Sequence, residues 1–166
     1  MKNIGFHGGH TVYENGISSD MFAFFQCIDH LAKLNYPQKD FCLLTDRLYR
    51  RYLKHNELAS AEELMSSIEM IFKETPCDKI KWEEIGLNVN STGLDLNQPT
   101  LDQIFKEYFL HFIDAKNSAE EFFKKFGIYQ PVKTVISDLP WFIEDKNRPL
   151  EQYDALGPND PPFWLR

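Results

Sequence analysis

Few residues in this sequence are of types and spacings that do chemistry. His7 and His10 flank two glycines, and two imidazoles three apart on a glycine turn have the reach to ligate a metal ion. Such a site needs at least a third ligand and groups that orient the rings; His30, His55 or Cys27 are the residues available to supply one. Without them the segment is the polar turn of a hairpin. Glu83 and Glu84 are adjacent, and on a strand neighbours point to opposite faces, so they do not make the facing pair that acid–base work requires. His111 lies within the apolar run Tyr108-Phe109-Leu110-His111-Phe112-Ile113 and reads as a hydrogen-bonded core histidine. Cys27 and Cys42 fall on or beside apolar helix faces and read as small core residues. Phosphate-cradling glycine motifs, the nucleophile elbow and zinc-spaced Cys/His sets are missing. The expectation is no enzyme: no catalytic residue, no cofactor and no metal. A metal-dependent enzyme using the His7/His10 turn is the alternative.

The elements that must position these residues follow from apolar spacing. Ile4–Phe6 and Thr11–Tyr13 predict short strands around the glycine turn. Met21, Phe24, Phe25, Ile28, Leu31 and Ala32 trace one stripe of a helix from Ser18 to about Leu34. A second helix is predicted over Phe41–His55, with Leu44, Leu48 and Tyr52 inward. Its basic face, Arg47, Arg50, Arg51 and Lys54, reads as a solvated stripe pairing with nearby carboxylates, or as an anion or partner contact. Ser60 and Glu63 form a capping-box pattern ahead of the stripe Ala61, Leu64, Met65, Ile68, Ile71 and Phe72, which Pro76 ends. Lys79–Trp82 alternates like an edge strand. The patterns Thr100/Gln103 and Ser118/Glu121 predict two further helices, to about Ala115 and to Gly127, and 131–136 a strand. The fold class expected is α+β, a single domain of about five helices packed with a small, mostly antiparallel sheet. Its compact part spans 1–140, and 141–166 forms an aromatic, Pro-rich tail that packs on it. An adaptor subunit that uses this tail to bind a partner is a further alternative.

Composition excludes some partners. The 166 residues carry a formal net charge of −7, at odds with nucleic-acid binding, which needs clustered Lys and Arg. The three cysteines are odd in number and widely spaced, as expected of reduced thiols. There is no apolar run behind a basic start, and no segment approaches the ~20 apolar residues of a membrane span. A cytoplasmic protein with no membrane contact is expected.

The charge is unevenly distributed. Asn3–Ala32 holds Glu14, Asp20 and Asp29 with no Lys or Arg, and Trp82–Phe105 holds Glu83, Glu84, Asp95 and Asp102 with none. Asp102 falls in the first turn of a predicted helix, where the dipole accounts for it. Were the two stretches to meet, Glu83, Glu84 and Asp95 would belong to a negative face suited to a basic protein.

Several pieces, in order, resemble bacterial immunity proteins that neutralise polymorphic or contact-dependent growth inhibition (CdiI-type) toxins. They are Phe24-Phe25, Leu48-Tyr49 followed by Leu53, the helical run Ala61–Ile71, and Trp82 followed by Glu83-Glu84. The resemblance covers about residues 4–113; the prolines and second Trp that the family carries near this Trp are not matched, and the tail after Leu139 has no counterpart. It implies a cytosolic α+β protein that binds one cognate toxin domain, a nuclease in many cases, as a monomer in a 1:1 complex. Trp82, Glu83, Glu84 and Asp95 are the toxin-binding residues expected.

Overall fold

Phe24 is the hub on which the helices converge. In the computed structural model, which describes residues 2–165, its ring meets Phe25, Phe72, Phe105, Tyr108 and Phe109 at centroid separations of 5.1–6.1 Å. Edge-to-face contacts of this kind add to the area each ring buries. The rings come from helix α1 (Ser18–Asn35), helix α2 (Leu58–Glu74), helix α4 (Lys106–Phe126) and Phe105, which joins α4 to the single turn α3 (Leu101–Ile104). Every residue of the two apolar stripes predicted on α1 and α2 is buried. The chain is an α+β single domain.

A three-stranded antiparallel sheet, order β2-β1-β3, packs on α4. Its strands are β1 (Asn3–Gly8), β2 (Thr11–Ile17) and β3 (Lys133–Ile136). Ile4 and Phe6 pair with Ile136 and Thr134 and turn inward, where Phe6 meets Phe112 edge-on at 6.0 Å. The β1–β2 turn lies so close to α4 that a Cβ on Gly8 would stand 2.0 Å from the Ala115 carbonyl oxygen, and Gly9 takes a positive φ of 63°. Only glycine suits both demands.

α4 runs unbroken for 21 residues and ends at Gly127 in the left-handed conformation. The two helices predicted here are therefore one. Tyr108, Phe112, Ala115 and Ala119 continue a single buried stripe through Ser118, and that packing outweighs the local capping pattern. The same correction applies at Ser60: α2 begins at Leu58, after a tight turn at His55–Glu57.

The helix predicted over Phe41–His55 is present but shorter, over residues 42–50, and its middle, Leu43–Leu48, is wound wide, so that the Tyr49 N–H reaches back to Leu44 O. The chain then extends so that the Leu53 N–H donates to Val132 O at 2.8 Å. The basic stripe does pair with nearby carboxylates, Arg47 with Glu57 among them, but only Lys54 is exposed and the three arginines are half-buried. Arg50 Nη1 donates to Gly157 O (2.6 Å) and Asp160 O (2.8 Å), and Arg51 Nη1 and Nη2 donate to Tyr153 O (2.6 Å) and Leu156 O (2.9 Å). Asp46 joins both guanidinium groups. These arginines fasten the C-terminal segment, which is more regular than its prolines implied. It forms helices α5 (Trp141–Asn147) and α6 (Leu150–Asp154), then buries Trp164 against Phe25 and Tyr49.

α5 and α6 cover the outer face of the sheet, and with it His7 and Lys133. The Lys133 ammonium donates to Asp145 O at 2.9 Å and faces the Tyr153 ring; burial lowers its pKa to about 8. His7 is buried with no hydrogen-bond partner on either ring nitrogen among the described residues, its ring in T-shaped contact with Phe142. Burial first, then the Lys133 charge, lowers its pKa from 6.5 to about 4. Because the folded value is depressed, the unfolded chain takes up the proton first as pH falls. Stability contributed by neutral His7 is complete above pH 6.5 and is lost progressively down to about pH 4. The expected loss over that window is about 3 kcal/mol. His7→Leu is expected to abolish this share of the acid sensitivity without destabilising the protein at pH 7, since no hydrogen bond is given up. Urea unfolding at pH 7 and pH 4.5 checks it: an unchanged difference between the two pH values contradicts it.

Candidate functional site

The stretch from Pro76 to Thr100 is one long loop closed at its base. Pro76 bridges Thr100, the Cys77 N–H donates to Pro99 O (3.1 Å), and the Leu101 N–H donates to Thr75 O (3.0 Å). Lys79–Trp82 is not the edge strand its alternation predicted. Cys77–Lys79 makes a tight turn, and Trp82–Leu87 a second one. In the second turn the Leu87 N–H donates to Trp82 O (3.0 Å) and the Gly86 N–H to Glu83 O (3.3 Å), with Gly86 at φ 92°. This is the closure that ends helices in a left-handed glycine, and it plants Leu87 in the protein. Phe22 of α1 packs so close to Gly86 that a Cβ there would lie 2.7 Å from its ring.

The two acid-only stretches do meet, and a buried carboxylate holds them together. Asp20, in the first turn of α1, accepts from Thr92 Oγ1 (2.6 Å) and from the Gly93 N–H (2.9 Å). Nothing local in the sequence marked this residue, since its partners lie more than seventy positions away. Asp20 is thus a clamp on the loop. Of the other acids in that stretch, Asp29 pairs with Lys33 at 2.8 Å and Glu14 accepts from Ser137 Oγ at 3.0 Å. Asp29 is thereby neutralised, while Glu14 stays exposed with only a neutral hydroxyl as partner.

The predicted site residues divide accordingly. Trp82 is half-buried on Phe105, at a centroid distance of 6.1 Å. Glu83 and Glu84 project from the same turn, exposed, and neither has an ion pair among the described residues. Asp95 is exposed too. Its oxygens accept from the Asn97 N–H (3.1 Å) and Gln98 Nε2 (2.9 Å), which shapes its own turn and leaves its charge without a cation. The two turns flank one surface depression of about 440 Å³, lined by Pro76, Cys77, Asp78, Ile80, Trp82 and Leu96 to Pro99. Of the four predicted residues Trp82 lines it; Glu83 directly follows Trp82 and Asp95 directly precedes Leu96 along the chain, and Glu84 adjoins no lining residue. Asp78, inside it, was missed. Asp102, by contrast, is taken up locally by Thr100 Oγ1.

The other chemistry-bearing residues are not brought together. His7 is buried under α5 while His10 is exposed against Phe122. Among the described residues no three His, Cys, Asp or Glu side chains form a group able to hold a metal ion. His111 is half-buried rather than in the core, with Nδ1 2.7 Å from Asn15 Oδ1. Cys42 is exposed, not a core residue, and its N–H donates to Asp40 Oδ1 at 2.8 Å. Burial, aided by Asp40, raises its thiol pKa. Burial also raises Cys27, to about 12, and Cys77, whose thiol donates to Leu96 O at 2.9 Å. Protonated thiols of this kind are poor nucleophiles.

Among the described residues no helix is long and apolar enough to cross a membrane. Compared with models of known protein families, with curated proteins and with solved structures, the chain matches none. What the fold and the site define is an α+β domain presenting an acidic loop fixed at both ends and at its middle.

Proposed function

We propose that this chain is an immunity-type protein, a non-catalytic inhibitor that binds a basic toxin domain, a nuclease by first expectation, through its acidic loop. One observation carries the reading: Glu83, Glu84 and Asp95 are exposed and without cations on a backbone held by the Gly86 closure, the Asp20 clamp and the Pro76–Thr100 base. Charges that already have their places lose little freedom on docking, so their attraction for a basic surface is not spent on ordering the loop. Unpaired carboxylates also steer encounter, and a negative loop is suited to a cleft built for phosphates.

The resemblance of Phe24-Phe25, Leu48-Tyr49 and Trp82-Glu83-Glu84 to immunity proteins supports the same reading. Phe24, Phe25 and Leu48 are core residues here, so that part of the likeness concerns the scaffold and only Trp82-Glu83-Glu84 concerns the contact. The adaptor alternative loses support from the tail, because Trp164 is spent inside the molecule.

Co-expression with the toxin domain encoded in the adjacent upstream reading frame tests the reading. Protection of the host cell and a 1:1 complex by light scattering are expected. Purified partners that do not associate at micromolar concentration would overturn it.

A further inference from the structure

The depression beside the acidic loop differs from the other concavities of this surface in its charge. The grooves along α4 line both signs: Asp114 and Glu121 with Lys125 on one side, Glu120 and Glu121 with Lys124 on the other. The hollow at the end of α1 sets Asp29 and Asp40 against Lys33 and Lys39. In the loop depression, Asp78 is the one charged lining residue, and among the described residues its carboxylate has no ion pair and accepts no hydrogen bond. The rest of the lining is apolar or amide. Ile80, Trp82 and Leu96 give the floor, Pro76 and Pro99 the walls, Asn97 and Gln98 part of the rim.

We propose that this depression is an arginine-binding pocket, which takes one arginine side chain of the basic partner with its guanidinium stacked on Trp82 and forked onto Asp78. The proposal rests on the docking reading above for its partner, and adds the anchor that the reading lacks. Each part of an arginine finds its complement. The planar, weakly hydrated guanidinium suits an indole face better than a lysine ammonium does. Its fork matches a carboxylate, and among the described residues the Asp78 carboxylate is in no ion pair. The aliphatic stem lies on Ile80 and Leu96. Gln98 gives its amide nitrogen to Asp95 at 2.9 Å, which leaves its oxygen at the rim as an acceptor.

The pocket is also built in advance. Trp82 rests on Phe105, its backbone oxygen is fixed by the Leu87 N–H, and Cys77 ties the two walls together through its bond to Leu96 O. A half-buried aromatic anchor beside an exposed carboxylate has the make-up of a binding hot spot; Glu83 follows Trp82 along the chain, while the exposed Lys79 and Lys81 alternate with Asp78, Ile80 and Trp82 and keep the rim from being uniformly acidic.

The test uses the full-length protein, labelled with ¹⁵N, and three probes: the N-acetyl, N-methylamide derivatives of arginine, lysine and norleucine. The Trp82 indole N–H resonance, assigned through Trp82→Phe, is expected to shift with the arginine probe and to saturate in the millimolar range, as befits a single side chain. Lysine should bind several-fold more weakly and norleucine not measurably. Asp78→Asn should weaken arginine about tenfold, the loss of one charge-assisted contact, with an unchanged melting temperature because Asp78 is exposed. Glu83→Lys with Glu84→Lys should change it far less. No shift at Trp82, equal shifts with lysine, or indifference to Asp78→Asn would each overturn the pocket. A toxin complex that still depends on Glu83 and Glu84 while Trp82 is silent to arginine sinks the pocket alone. Arginine at Trp82 with a toxin complex indifferent to Glu83 and Glu84 upholds the pocket and sinks the docking reading.

Discussion

Trp164→Ala is expected to destabilise the protein by about 4 kcal/mol, the scale for emptying a large aromatic site in a core. The ring is 2% exposed, lies within 6.2 Å of Phe25 and 5.8 Å of Tyr49 by centroid, and donates Nε1–H to Tyr49 O at 2.7 Å. Neither neighbour can collapse into the space easily, since Phe25 is already packed on Phe24. The loss should spread along the tail, because the carbonyls that Arg50 and Arg51 bind are held in place by the Trp164 anchor beyond them. Urea unfolding with an unchanged slope would register it as a shift in midpoint. A cost under 1 kcal/mol would mean that the C-terminal segment is an ornament on an independently stable domain.

Asp20→Ala comes second, at about 3 kcal/mol. It removes the buried acceptor shared by the Thr92 hydroxyl and the Gly93 N–H, and hydrogen bonds to a charged group are the expensive ones to lose. It also takes a negative charge from the first turn of α1. Asp20→Asn, which keeps one oxygen, should cost roughly half as much. The distinguishing readout is local. Amide exchange in residues 82–99 should quicken well beyond what the global loss accounts for, while β1 and α4 keep their protection. Uniform quickening across the chain would show that Asp20 supports the domain at large and not this loop.

How much of this was legible in the sequence depended on whether the deciding contacts were local. The stripes of α1 and α2, the strands around Gly8-Gly9 and the stop at Gly127 rest on spacing within a few residues, and each stands in the structure. Ser118 with Glu121 looked like a helix start because the pattern is local; the continuous stripe through Ala115 and Ala119 decided otherwise. Arg50 and Arg51 looked like surface charge because their partners, the carbonyls of residues 153–160, lie about a hundred positions on. Asp20 was counted among the surface acids for the same reason.

At the candidate site, residue types were legible and roles were not. Trp82, Glu83, Glu84 and Asp95 could be named from an acid-only stretch, yet the turn that carries Trp82 replaced the strand expected there. Asp78 carries no signal of its own in Pro76-Cys77-Asp78-Lys79; it matters only because the loop closes at Pro76 and Thr100 and brings Leu96–Pro99 across from it.

The most direct test of the central claim is the association rate of the toxin domain with Glu83→Lys/Glu84→Lys, followed by stopped-flow mixing from low to physiological salt. Both side chains are exposed and without partners among the described residues, so the variant should melt with the wild type. A fall of about tenfold in association rate at low salt is expected, with a flatter dependence on salt than the wild type shows, because the attraction that salt screens has been removed. An unchanged rate and an unchanged salt dependence would contradict the account: the acidic loop would not be the docking surface.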